Sequence, residues 1–320
     1  MMDSTLHLRT VSELNGIIAS GGFADLVARG ENLHAQRISR VAELVASRAP
    51  YVRLVLVAGP TAAGKTTTAL RLCKALKKNG LASMHISTDD YFVGDRRNPR
   101  DGNGNLDYEH FDAVDRVRLR EDLLKIFSGM PFHRRKFDFA SHEGYEDPDI
   151  FTPRQNVVVV LEGIHALNPA LTDGIGDVLM YRIYVNTLTQ LEADLGGWLY
   201  YEDTRLMRRI VRDRTYRNMS PEKTLLMWEK VSAGEMRWIN PYRGFADFVI
   251  NTSFDYEISV MKPILEPLLK SVPYLGGRED SEIRRLLAAL DTVTAVTDTS
   301  AIPRDSILRE SIGGSTLDYE

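Results

Sequence analysis

Residues 52–80 read VRLVLVAGPTAAGKTTTALRLCKALKKNG, and three features of this stretch settle what surrounds it. The apolar run from Val52 does not alternate with polar residues, as expected of a strand covered on both faces. Gly59 to Thr66 follows as G-x-x-x-x-G-K-[ST]. A helical segment comes next and ends at Asn79-Gly80, a plausible left-handed cap. A strand, a glycine-bearing loop and a helix in that order form a cradle for phosphate groups. Gly59 and Gly64 permit backbone conformations that bring N–H groups close to phosphate oxygens, and the helix N-terminus adds the positive end of its dipole. Lys65 would reach the outer phosphates of a triphosphate, and the Thr66 hydroxyl would ligate Mg²⁺. Gly59, Pro60, Thr61, Ala62, Ala63, Gly64, Lys65, Thr66 and Thr67 are therefore candidate contacts to the triphosphate of ATP.

The remainder of the chain limits what such a cradle can serve. At 320 residues, 43% hydrophobic and 26% charged, the composition is that of a globular protein with a sizeable core. The formal net charge of −4 gives no global attraction to nucleic acid or to an anionic membrane, so an anion site must come from local clustering. Cys73 is the only cysteine, which excludes an internal disulfide framework and a cysteine-based zinc site and suits a reducing compartment. The N-terminus lacks a basic segment followed by an apolar core, and runs such as VVVVL from Val157 are too short to span a bilayer. The expected location is the cytoplasm, without nucleic-acid or membrane partners. A homo-oligomer is compatible with the sequence.

Four more short apolar runs follow the first: SMHIST from Ser83, VVVVLEG from Val157, YRIYVN from Tyr181 and DFVINT from Asp247. Helical patterns between several of them predict a five-stranded parallel sheet in an α/β fold. Residues 1–50 are expected as a helical extension, with Ile38, Val41, Leu44 and Val45 near a 3.6-residue period. Residues 51–270 would form the nucleotide-binding domain. Residues 271–320 would supply a C-terminal helix, SEIRRLLAALDTV, and a turn-rich tail packed on that domain.

In an open α/β sheet the ligand lies beyond the carboxyl ends of the strands. Two runs place acids there: HISTDDYF sets Asp89 and Asp90 after the second strand, and VVVVLEGIHAL sets Glu162 after the third. Paired aspartates in loops are commonly turn or cap residues. Beside a phosphate cradle they read as functional, with Asp89, nearer the strand, preferred as the carboxylate that deprotonates an attacking hydroxyl. Thr66, Glu162 and Asp89 are the candidate metal ligands.

DTRLMRRIVRDRTYRNMSPE, from Asp203, has a helical period that places Arg205, Arg208, Arg209 and Arg212 on one face. Like charges at that spacing oppose each other by roughly 0.2 to 0.5 kcal/mol per pair, and only Asp203 and Asp213 are close enough in sequence to offset them. Such a face is expected to meet an anion, as a lid closing over the triphosphate.

These blocks resemble the uridine kinase and phosphoribulokinase family, and within it the uridine-cytidine kinases. GPTAAGKTT resembles the phosphate loop, ISTDDYF the block with the base, NLDYEHFD a block that holds ribose hydroxyls, KFDFASH one that faces the nucleobase, and DTRLMRRIVRDRTYR the lid. The flanks LHLRTVSELN and SILRESIGGS resemble the kinase portion of longer bacterial proteins that carry a domain similar to part of threonyl-tRNA synthetase ahead of the kinase. The resemblance, over about Arg53 to Thr252, implies a P-loop NTPase three-layer fold with a helical lid. It implies Asp89 as general base, Asp107 as ligand of the ribose hydroxyls, and Arg209, Arg212 and Arg217 as lid arginines. Phe137, His142 and Arg217 would bound the acceptor. Phe137 stands where the nucleoside kinases generally have tyrosine, and DYEHFD lacks their usual proline.

The expected activity is transfer of the γ-phosphate of ATP, with Mg²⁺, to the 5′-hydroxyl of uridine or cytidine in pyrimidine salvage. Asp89, Lys65 and Arg212 would be catalytic. A kinase of another sugar, sugar phosphate or pantothenate-like alcohol, and a nucleotide-responsive binding protein, are the alternatives.

Overall fold

The computed structural model describes residues 7–139, 141–176, 178–193 and 197–319. In chain order the elements are α1 (Val11–Ala19), α2 (Phe23–Ala46), β1 (Val52–Ala58), α3 (Lys65–Lys78), β2 (Ser83–Ser87), α4 (Arg116–Ser128), β3 (Phe132–Asp138), β4 (Glu143–Phe151), β5 (Val158–Glu162), β6 (Leu179–Asn186), β7 (Leu191–Ala193) and β8 (Gly197–Leu199). There follow α5 (Tyr201–Tyr216), α6 (Pro221–Gly234), β9 (Phe248–Asn251), α7 (Glu257–Lys270), α8 (Arg278–Asp291) and α9 (Arg309–Ile312).

The five apolar runs become one parallel sheet in the order β2-β5-β1-β6-β9. The first strand lies at its centre. Successive β1 side chains point to opposite faces. Leu54, Leu56 and Ala58 join a core with Phe111, Leu119 and Leu123, whereas Val55 and Val57 pack with Ile38, Val41 and Val45 of α2 and Leu72 of α3. Both faces of β1 are thus buried, which is why its sequence shows no alternation.

A third apolar cluster joins residues near both ends of the chain to α5. Val11, Leu14 and Leu26 share it with Leu206 and Ile210 of α5, Leu286 and Leu290 of α8, and Ile302, Ile307 and Leu308 of the tail. Within residues 293–308, Ile302, Ser306, Ile307 and Leu308 are buried.

Two antiparallel pairs stand outside the sheet, β3 with β4 and β7 with β8. The sequence pattern showed neither. The β3–β4 hairpin, FHRRKFD with EGYEDPDIF, is charged and largely exposed along β4, so it lacks the apolar periodicity by which strands are read. Among the described residues no helix is long and apolar enough to cross a membrane.

Candidate active site

The loop between β1 and α3 lies at the carboxyl end of the central strand. A Cβ added at Gly59 would lie 2.0 Å from the Val185 carbonyl oxygen of β6, so no larger residue fits. Gly64 has φ of +78°, which brings the chain into the helix in a conformation that favours glycine. The first intrahelical bond after it runs from Thr68 N–H to the Gly64 carbonyl at 3.0 Å. The N–H groups of Lys65, Thr66 and Thr67 therefore precede the helical ladder and are the donors an anion meets. Lys65 folds back along the loop, its Nζ donating to the Pro60 carbonyl at 3.2 Å.

On the sheet side of this loop the Thr66 and Ser87 hydroxyls both donate to Glu162 Oε1 at 3.0 Å. Burial pushes the Glu162 carboxyl above the ordinary carboxylate range, against the pull of Lys65. Asp89 is the second residue of the turn after β2, where its N–H donates to Ser87 Oγ at 3.2 Å. One hydroxyl thus links the Asp89 backbone to Glu162. Of the aspartate pair, Asp90 turns towards Lys136 of β3 at 3.9 Å, and burial pushes it up to about 6. Mg²⁺ keeps several waters and phosphate oxygens and takes few protein ligands, so the Thr66 hydroxyl beside the Glu162 carboxylate fits it. No denser cage of three His, Cys, Asp or Glu side chains occurs among the described residues.

The arginine face of α5 divides into two functions. Arg205 and Arg208, expected to face an anion, are buried and bound within the protein. Arg205 donates to Glu235 at 2.7 Å and to the Thr61 carbonyl at 3.4 Å. Arg208 Nε reaches Glu257 at 2.6 Å, while its other nitrogens meet the Thr252 carbonyl at 2.7 Å and the Ala62 carbonyl at 3.3 Å. Their partners lie 30 and 49 residues along the chain, beyond the reach of a helix-local count of charges. Both arginines therefore hold the loop's carbonyls in place. Asp203, counted as a local offset, is engaged by Arg285 of α8 instead.

Arg209, Arg212 and Arg217 are different. All three converge on one buried carboxylate, Asp213, at 3.2, 2.9 and 3.6 Å. Burial would raise the Asp213 pKa, but the three guanidiniums outweigh it and hold the carboxyl below its ordinary value. Glu310 lies 3.8 Å from Arg212 as well, so three cations face two carboxylates and a smaller positive excess remains, and Arg209 adds a 3.4 Å contact to the Thr61 hydroxyl of the loop.

On the acceptor side, Asp107 and Glu109 lie in the loop before Phe111, with the Glu109 N–H donating to Asp107 Oδ1 at 3.2 Å. Burial pushes Glu109 up to about 7, while Arg209 and Lys65 pull it down. Glu109 is thus a carboxyl that feels the charges of Lys65 and Arg209. Sequence reasoning passed over it, although it stands inside the quoted DYEHFD block. Phe137 is buried, with ring centroids 5.4 Å from Phe92 and 5.2 Å from Phe139. His142 occupies the hairpin turn with φ of +57° and bonds Tyr108 at 2.7 Å and Asp95 at 3.1 Å. Tyr108 in turn donates to Asp95.

A triphosphate cradle at the carboxyl edge of a parallel sheet, faced by a helix whose arginines outnumber the carboxylates paired with them, defines a P-loop phosphotransferase. Residues 54–259 match the model of the Phosphoribulokinase / Uridine kinase family, and the chain belongs to that family. A uridine kinase of Deinococcus deserti is 28% identical over 202 residues, 63% of this chain and 87% of that protein. A uridine kinase of Staphylococcus aureus strain JH9 is 27% identical over 199 residues, covering 62% and 86%. Among solved structures, a Silicibacter sp. TM1040 chain provisionally named a fructose transport system kinase is 18% identical with a TM-score of 0.47, over 67% of this chain and 98% of that one. The protein is thus a kinase of a family whose members take ATP and a small-molecule acceptor.

Proposed function

We propose that the protein transfers the γ-phosphate of ATP to the 5′-hydroxyl of a pyrimidine nucleoside, uridine foremost, giving the nucleoside monophosphate. The observation that carries the transfer is the convergence of Arg209, Arg212 and Arg217 on the single Asp213 carboxylate beside the loop. Their excess positive charge suits the equatorial oxygens of a phosphoryl group in flight. The uridine kinases among the relatives support the acceptor.

In this reading the loop amides and Lys65 hold the phosphates, and Asp89 accepts the proton of the attacking hydroxyl. Thr66 and Glu162 would hold Mg²⁺, which would supply neutralisation of phosphate charge. Asp107 accepts from the ribose hydroxyls, while Phe137 and His142 bound the base side. The lid arginines exclude water, which would otherwise compete as acceptor.

A sugar or sugar phosphate as acceptor is favoured by one observation. Glu109 adds a second carboxyl beside Asp107, as a polyhydroxylated acceptor would use. The deciding experiment incubates the protein and Mg-ATP with uridine, cytidine, pentose phosphates, hexoses or pantothenate, and scores ADP release above a control without acceptor. Turnover with uridine or cytidine at least tenfold above every other acceptor is expected. A preference for any of the sugars or for pantothenate overturns the nucleoside reading.

A further inference from the structure

The tail of the chain reaches the cradle from the side opposite the metal ligands. Consecutive residues of a helix point about 100° apart, so Thr66 and Thr67 present their hydroxyls to different neighbours. Thr66 faces Glu162 at the end of β5, where the outer phosphates belong. Thr67 faces the tail: its hydroxyl donates to the Glu310 carboxylate at 3.2 Å and lies 3.1 Å from the Tyr319 hydroxyl. Its relative exposure is 0%. A triphosphate whose outer end rests at Lys65 and Glu162 continues past Thr67 towards its nucleoside, into the place these two side chains cover.

Glu310 makes a second contact of the same kind. Its Oε1 lies 3.8 Å from Nη1 of Arg212, so one carboxylate joins the first turn of the cradle helix to a lid arginine. A hydroxyl of the cradle on one side and a guanidinium of the lid on the other are partners that a phosphate group would take. The carboxylate offers them an anion from within the chain.

The anchoring of the tail separates a fixed part from a movable one. Ile307 and Leu308 are buried, and Ile307 lies so close to Gly64 that a Cβ there would come within 2.7 Å of it. Beyond α9, Gly313 and Gly314 take φ of +90° and +76°, a pair of glycines able to absorb a change of backbone direction. The last residues are held back by exposed bonds, from Arg304 Nε to the Gly314 carbonyl at 3.2 Å and from Thr316 N–H to the Arg304 carbonyl at 2.9 Å. Glu310 can leave by a rotamer change and Tyr319 by a swing about the two glycines.

We propose that the C-terminal segment is an intrasteric competitor of the donor nucleotide: Glu310 and Tyr319 cover the nucleoside end of the phosphate cradle, and ATP binds by displacing them. The proposal rests on the reading of residues 59–67 as the ATP cradle. When the binding-competent state is only part of the population, apparent affinity falls by that fraction, so a tail closed nine-tenths of the time weakens ATP about tenfold.

The test is calorimetric titration of Mg-ATP, without acceptor, into the wild-type chain, Glu310→Gln, and a chain ending at Gly314. Thermal unfolding checks that each is folded, and Glu310→Gln, nearly isosteric, decides if the shortened chain is not. The dissociation constant should fall about threefold to tenfold in each variant and further when they are combined, with turnover at saturating ATP unchanged. Unchanged affinity overturns the competitor while leaving the cradle reading intact. Weaker binding in the variants also overturns it, since the tail would then support the nucleotide. No binding by the wild type or any variant defeats the cradle reading and the proposal with it.

Discussion

Replacing Arg208 by methionine should destabilise the fold severely, although Arg208 sits on the same helix face as the lid arginines. Its side chain is 2% exposed and that of its partner Glu257 is 5% exposed, with 2.6 Å between them. The substitution leaves a buried carboxylate without its cation and removes donors from the Thr252 and Ala62 carbonyls. Removing one partner of a buried pair costs about 3–5 kcal/mol, a large share of the roughly 5–15 kcal/mol by which folded proteins are stable. Burial already holds the Glu257 carboxyl above its ordinary value, with Arg208 opposing. Without Arg208 it rises further, so the variant can relieve the loss by taking up a proton, and the destabilisation should be greater at pH 8 than at pH 6. Urea unfolding of wild type, Arg208→Met, Glu257→Leu and the double variant gives the coupling. The double variant should recover at least half of the single loss. A loss below about 1 kcal/mol, or additive effects of the two substitutions, would refute a structural role for Arg208 and return it to the lid.

Arg212→Ala should behave in the opposite way, near-native in stability because Asp213 keeps Arg209 and Arg217. It should depress kcat and kcat/KM together, with incomplete rescue by Arg212→Lys, whose ammonium lacks the planar fork; a rise in KM alone would count against a transition-state role. Lys65→Ala should abolish transfer in a folded protein, which an assay at saturating ATP beside a thermal melt would check. Asp89→Asn should lower turnover by roughly 10² to 10⁴ with ATP affinity little changed, and activity within a few-fold of wild type would remove Asp89 as the base. His165, buried against Phe111, has its pKa lowered by burial to about 4, so the folded state resists a proton that the unfolded chain accepts near 6.5. The stability it contributes is present above pH 6.5 and is lost as the pH falls towards 4. Relative to His165→Gln, the wild type should lose up to about 3 kcal/mol across that window, and parallel stability curves would contradict this.

The phosphate cradle and the five-stranded sheet were legible because their determinants are local. The loop needs glycine, lysine and hydroxyl at fixed spacing, and strands buried on both faces show as unbroken apolar runs. The positions of Asp89 and Glu162 after their strands followed from the general placement of ligands in α/β sheets. The periodicity of α5 showed which arginines share a face. It could not show that Arg205 and Arg208 are committed to Glu235 and Glu257, because a buried ion pair depends on which distant segments the fold brings together. The β3–β4 hairpin was illegible for a different reason: β4 is charged and exposed, and β3 buries only Phe132 and Phe137, five residues apart, so the pair joined by backbone hydrogen bonds shows no two-residue alternation. The contact of Glu310 and Tyr319 with Thr67 joins residues 243 and 252 positions apart. Only the tertiary structure could bring the end of the chain onto the phosphate loop, because sequence spacing limits what a chain can reach and does not select which contact it makes.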